Sequence, residues 1–429
     1  MMKHFLRQKN SGIALLMVLS TLALLSGIVV EFAYNSNVTY NLAMNEKERV
    51  QAYYLAESGL ELSKLVLKFD KEAQNVAGQA SKRLGRSVNV QPLYELIPLN
   101  SELLRGLTGM ESGEAPKEGE NPEGEAATDP EEQPSQLFGA FNLKGAETFL
   151  AFEGDFASEI SEEEAKLNVN AFFTLSPAQK QYERLKSTLY HLLLSDDFKG
   201  LFADKFRGAQ ELAQNIADYI DRDDAQNEPG GQERGREGIG STAAPMKNGK
   251  LLTVEELMMV PGMTEAIYRR LKDFVTVYGQ DGKIFVCRAK EPLVKALILA
   301  YTEDNSKMEP LKDDNQDLLT KAYDAVLNSC PDIQAMAKQL DVALGVSEAG
   351  SENIPTSPTS VVGGRTSNSG TPEGSAGGEN FTNLVRKDAM IFTVVGIGKV
   401  GETEVHLKTV LDTSNSNPDR WTPLYWRVE

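Results

Sequence analysis

KNSGIALLMVLSTLALLSGIVVEFAYNS, residues 9–36, carries no charged side chain between Lys9 and Glu31. Such a run can cross a bilayer, because about 20 helical residues rise about 30 Å, the thickness of the hydrocarbon core. Lys3, Arg7 and Lys9 precede it with no acidic residue, so the cation bias puts the N-terminus in the cytoplasm and the bulk of the chain outside. A removable secretion signal has a shorter apolar core and a small-x-small exit, and Leu24-Leu25-Ser26 offers a poor one. A signal anchor is the plainest reading of this stretch alone.

The residues that follow ask for more than an anchor. From Glu31 to Ala73 there is no proline and a single glycine, Gly59, which predicts one helix from Ile13 to about Ala73. Val38, Leu42, Val50, Tyr53, Tyr54, Leu60 and Leu67 recur at the intervals by which a helix turns one apolar stripe toward a sheet or other helices. Joined to the span, the pattern predicts a rod with its first half in lipid and its second half in a soluble domain.

The chain has 429 residues, enough for two to three folding units. Its net charge of -18 falls to -21 without Lys3, Arg7 and Lys9, which disfavours nucleic acid and acidic lipid as partners. Two stretches are too poor in large apolar residues to fold: the Glu/Pro/Gly-rich 111–136 and the Ser/Gly/Thr/Pro-rich 349–380. Residues 137–172 predict two or three strands, 178–221 helix, 253–278 and 291–343 further helices. MIFTVVGIGKVGETEVHLKTVLD, 390–412, predicts a hairpin turning around Val400-Gly401-Glu402-Thr403. A helical block thus interrupts a β-rich one.

Little in the chain suggests an enzyme. Its three histidines, His4, His191 and His406, sit in no nucleophile or metal motif, and there is no phosphate-binding glycine loop. The carboxylates Asp218, Asp221, Asp223, Asp224 and Glu228 lie where a helix gives way to a loop. That placement suits calcium, which takes about six to eight oxygen ligands, or simply a solvated face. TVEELMMVPGMTEAIYRRLKDF, 253–274, has the outline of a helix-hairpin-helix. Arg269, Arg270 and Lys272 are offset there by Glu255, Glu256, Glu265 and Asp273, so packing against protein is favoured over gripping a DNA phosphate. Cys287 and Cys330 could form one disulfide, which their spacing does not decide.

Several of these stretches carry a resemblance. The basic dozen ending in Ser11-Gly12, the apolar Ile13–Val18 and the later QAYYLAESGLELSKL resemble the leader and first helix of type IV pilin-like proteins. In those proteins a prepilin peptidase cuts after the glycine, here Gly12, so that Ile13 begins the mature chain and the anchor stays. Most of them have glutamate as the fifth residue after the cut, and this chain has Met17. That departure is similar to the K subunit among the minor pseudopilins of the type II (general) secretion pathway. EISEEEAKLNVNAF (159–172, with Glu164, Lys166, Asn168 and Asn170), LAQNIADYIDRDD (212–224, with Tyr219 where tryptophan is usual) and the closing TPLYWRVE (422–429) resemble that family too.

The resemblance implies an α+β, type IV pilin-like fold: a long N-terminal helix packed on an antiparallel sheet, with a large inserted α-helical domain. The division it implies is a leader at 1–12, a transmembrane and assembly helix at 13–75 and the first part of the body at 76–172. An inserted domain at 173–348, including the hairpin 253–278, a linker at 349–380 and closing strands at 381–429 follow. It further implies calcium in the inserted domain, an inner-membrane and then periplasmic location in a Gram-negative bacterium, and a place at the tip of the pseudopilus. The partners implied are other minor pseudopilins, the major pseudopilin, the prepilin peptidase and the inner-membrane assembly platform, with no nucleic acid. The alternative is a minor pilin of a motility, adhesion or DNA-uptake pilus that uses the hairpin on nucleic acid.

Overall fold

A computed structural model describes residues 11–84, 91–108, 152–223, 227–228, 232–233, 246–279, 281–305, 309–311, 315–346 and 381–429. Residues 1–10, 111–136, 137–151 and 349–380, on which expectations were placed above, lie outside them.

Helix α1 runs unbroken from Ser11 to Leu84, 74 residues, or about 110 Å at 1.5 Å per residue. It passes the expected end near Ala73 because QNVAGQASKRL also lacks proline. Two short helices, α2 (Leu93–Leu96) and α3 (Ser101–Thr108), flank the short strand β1 (Leu99–Asn100). The main sheet is antiparallel, in the order β1, β2 (Asp155–Glu162), β7 (Ile391–Val400), β8 (Thr403–Asp412) and β9 (Thr422–Val428). The β7–β8 hairpin closes on Gly401-Glu402, with Val400 opposite Thr403. Gly401 has a φ of +58°, the left-handed conformation that tight hairpins need and glycine supplies without strain.

Small residues let α1 lie close on this sheet. Ala52, Ala56, Leu60, Ser63 and Leu67 are buried at the three- and four-residue steps of one helical face. Opposite them on β7 stand Gly396 and Gly398, where a Cβ atom would meet Ala56 O at 2.3 Å and Ala52 O at 1.9 Å. Phe392, Val394, Leu407, Leu411 and Trp421 complete the core beneath the helix.

The second core is larger and helical. It is built on α4 (Ala171–Thr174), α5 (Lys180–Leu193), α6 (Lys205–Ile220), α7 (Glu265–Leu271), α8 (Glu291–Asp304), α9 (Gln316–Asn328) and α10 (Ile333–Ala343). Its buried residues extend from Leu167 to Val385. Residues 167–172 and 381–385, assigned by the sequence to the sheet body, therefore pack in the helical unit instead. Leu167, Val169, Phe172, Phe381 and Leu384 are apolar enough to enter either core, and a parallel pairing captures them. Strand β3 (Leu167–Asn168) pairs with β6 (Val275–Thr276), Ile284 bridges Val385, and β4 (Asn227–Glu228) forms a small antiparallel pair with β5 (Gln232–Glu233). Two further expectations are corrected. The first arm of the hairpin is a 3-10 turn, Val254–Met259, rather than an α-helix, and β6 takes the end of the segment expected as helix. Over the described part of 137–172, only β2 and the two-residue β3 are strands.

Candidate functional site: the assembly helix, the domain joint and the acidic cluster

Among the described residues nothing packs on the membrane-length first part of α1. Residues from Gly12 onward form a helix long and apolar enough to cross a membrane, and none of its most apolar window is buried. Met17 is 64% exposed among equally bare neighbours such as Leu16 and Leu24, and a Cβ on Gly12 or Gly27 would meet nothing within 4 Å. A helix apolar on every face suits lipid or a bundle of helices rather than one side of a domain. Gly12, Ile13 and Met17 thus all lie on an open helical surface, with the expected leader outside the described residues.

The EEEAKLNVN stretch forms the joint between the two cores. Glu163 and Glu164 share one 3-10 turn, Glu163–Ala165, directly after β2, and both are buried. Glu163 accepts hydrogen bonds from Lys166 Nζ (2.8 Å), Thr276 Oγ1 (2.5 Å) and Thr393 Oγ1 (2.6 Å). Glu164 accepts from the backbone N–H groups of Met390 (2.5 Å) and Ile391 (3.3 Å) and pairs with Arg386. Its carbonyl accepts from Phe285 N–H at 2.7 Å. Two adjacent glutamates thus tie the sheet, through β7, to the helical unit: Glu163 by its carboxylate to β6, and Glu164 by its backbone carbonyl to Phe285. Burial pushes the Glu163 carboxyl up, but the charge and hydrogen bond of Lys166 and the two threonine hydroxyls outweigh it and hold it below the usual carboxylate value.

The two asparagines of the same stretch pin the interior of the helical unit. Asn168 donates to Asp281 O at 2.9 Å. Asn170 donates to Leu251 O (2.9 Å) and Val277 O (2.7 Å) and accepts from Leu251 N–H (2.7 Å), so its buried amide is satisfied on both ends. The sequence singled out Glu164, Lys166, Asn168 and Asn170. It missed Glu163, whose local partner is Lys166 but whose bonds to Thr276 and Thr393 span 113 and 230 residues, and it missed Arg386; contacts of that span leave no local signal.

The acidic cluster lies at the C-terminal end of α6. Asp218 and Asp221 are buried, and Asp221 Oδ2 accepts from Tyr182 OH at 2.7 Å. Asn248 approaches from the returning chain and donates from Nδ2 to Asp223 O at 3.0 Å. Asp224 and the Glu228 side chain lie outside the described residues. Among the described residues no three His, Cys, Asp or Glu side chains gather as a metal site. The hard oxygen donors suit calcium, but the described ones alone do not close a coordination shell.

Two other singled-out features are structural. Cys287 and Cys330 are joined in a disulfide with a Cα–Cα distance of 5.8 Å, linking the entry to α8 with the α9–α10 turn. The hairpin tip Val260-Pro261-Gly262-Met263 is packed on α6, where Asn215 Nδ2 donates to Pro261 O at 2.9 Å. Nearby, Arg269 pairs with Glu265, and Arg270 donates to Asp197 O. Two of the three cations that a DNA phosphate would need, Arg269 and Arg270, are thus engaged with protein groups.

Residues 165–280 match the model of the family described as Type II secretion system (T2SS), protein K. No curated protein matches the chain. Among solved structures, a chain of the GspK-GspI-GspJ complex from the enterotoxigenic Escherichia coli Type 2 Secretion System is similar at 16% identity. That likeness covers 65% of this chain and 80% of the other, with a TM-score of 0.39. The family match begins within the Glu163–Asn170 joint and takes in the acidic cluster and the hairpin, so that over these residues the chain is similar to protein K of the type II secretion system.

Proposed function

We propose that this chain is the minor pseudopilin at the tip of a type II secretion pseudopilus, anchored in the inner membrane and then extracted to start or cap the fibre. The observation that carries this reading is a single helix, Ser11–Leu84, bare and apolar in its first half and buried on a sheet in its second. Subunits built this way can pass from bilayer to fibre by exchanging lipid for neighbouring helices. In this reading Met17 leaves no carboxylate for a subunit ahead, and an isolated carboxylate in a bilayer is costly without a partner. The helical unit, standing beside the sheet, limits addition above it. The work is structural, and its partners are other minor pseudopilins, the major pseudopilin, the prepilin peptidase and the assembly platform.

Deleting the chain's gene in its own bacterium should trap type II cargo in the periplasm, and secretion at the parental level would overturn the proposal. Processing is a separate element of the proposal. Cleavage after Gly12 on the cytoplasmic side should leave Ile13 first, and Gly12→Val should leave the leader attached in the membrane fraction. Calcium at Asp218, Asp221, Asp223, Asp224 and Glu228 is proposed on donor chemistry. It would cross-link the end of α6 to the following loop, and Asp221→Asn should reduce any rise in melting temperature that calcium gives the purified chain.

A further inference from the structure

We propose that the face of β9 lying on the α1 side of the sheet is the seat of a second helix, contributed by a neighbouring pseudopilin and laid beside α1. This rests on the reading of the chain as a pseudopilin and names the surface at which one contact is made.

Residues paired directly across antiparallel strands share a face of the sheet. One row crosses it through Ser158, Gly396, Leu407 and Val428, and the next through Ile160, Val394, Thr409 and Trp426. Gly396 lies against Ala56 O, and Leu407 is buried with Ala56, Leu60 and Leu67, so both rows face α1. Leu424 sits beside that row in a bulge, where the pairing steps from Val410–Tyr425 to Leu411–Pro423. Helix α1 covers β2, β7 and β8, yet Leu424, Trp426 and Val428 remain 44–45% exposed. Tyr425 turns the other way, its ring 6.4 Å from that of Tyr278 in the helical unit. The strand is therefore backed on one face and bare on the other.

The free width suits one helix. Neighbouring strands lie about 4.8 Å apart, which puts β9 about 10 Å from β7. Helix α1 rests on the glycines of β7, and packed helices lie about 8–10 Å apart. A helix seated on β9 would touch the sheet and α1 together, continuing the α1 seat. A strand added at the edge would leave Leu424, Trp426 and Val428 uncovered. Nor can the first half of α1 fold back onto this face, because α1 is continuous to Leu84. A helix from another chain meets these requirements, and a bare, apolar, membrane-length first helix of the kind this chain itself carries has the matching chemistry.

The test is photo-crosslinking in the full chain, in membranes of its own bacterium, with p-benzoylphenylalanine at Leu424, Trp426 or Val428, at Arg427 on the opposite face, and at Tyr54 on the exposed side of α1. Trp426→Glu serves as a second variant. The expected result is that 424, 426 and 428 link to the first helix of another pseudopilin while 427 does not. Trp426→Glu should lower co-purified pseudopilin about tenfold, the loss expected of a buried aromatic anchor, without moving the melting temperature. If Tyr54 captures a pseudopilin while 424, 426 and 428 link only to lipid, to residues 349–380 of this chain or to a strand, the seat is wrong and the pseudopilin reading stands. If no position captures a pseudopilin, both fall.

Discussion

The two halves of α1 are both rich in apolar side chains and have opposite surroundings. From Ile13 to Val30 the large side chains are bare on every face, whereas from Ala52 to Asp70 one face is buried and the other is not. Residue size separates them. The buried half turns Ala52, Ala56 and Gly59 toward the sheet, where glycines on β7 and the backbone of β2 admit close contact. The bare half is leucine-, isoleucine- and valine-rich all round. Apolar residues alone do not mark a core; a row of small residues meeting a row of glycines marks a seat.

The largest effect should come from closing that seat. Gly398→Val puts side-chain atoms against Ala52 O, and because helix and sheet backbones must separate, we expect a loss of about 4 kcal/mol or failure to fold. Gly27→Val, in the bare half, should leave the urea midpoint of the detergent-purified chain unchanged. Equal effects would erase the distinction between the halves.

A smaller contrast uses leucines. Leu60→Ala opens a cavity in a fully buried site and should cost about 3 kcal/mol. Leu24→Ala should stay within about 0.5 kcal/mol in the same unfolding measurement.

The smallest of the three effects lies at the joint that fastens this helix-and-sheet body to the helical unit. Glu163→Gln should cost about 2 kcal/mol at pH 7, as loss of charge-assisted hydrogen bonds does. Its pH dependence has a defined sign. The folded-state carboxyl titrates below its ordinary value, so its contribution is complete above that value and disappears as pH falls through the depressed one. Wild type and variant should therefore converge in stability in strong acid, and a gap that widened on acidification would contradict the assignment.

What the sequence disclosed follows from which interactions are local. The proline-free run after Lys9 and the alternation of 390–412 write their structure into neighbouring residues, and the helix, though longer than expected, and the hairpin form there; the closing YWRV strand was expected from the resemblance and forms as β9. The edges of the helical unit were not legible, since Leu167 and Phe381 are apolar in either core and a parallel pairing decides between them. The Cys287–Cys330 link was left open for the same reason: forty-three residues of separation constrain no geometry. The exposure of Trp426 was not legible either, because it follows from the limited reach of α1 across the sheet.

The central claim is that the bare half of α1 is held for other subunits. It is tested most directly by purifying the full chain from detergent-treated membranes of its own bacterium and identifying by mass spectrometry what accompanies it. The account predicts that other pseudopilins are recovered in a fixed ratio to this chain and are lost when residues 13–30 are exchanged for an unrelated apolar span. Recovery of the chain alone, or of pseudopilins in equal amount after the exchange, would contradict it.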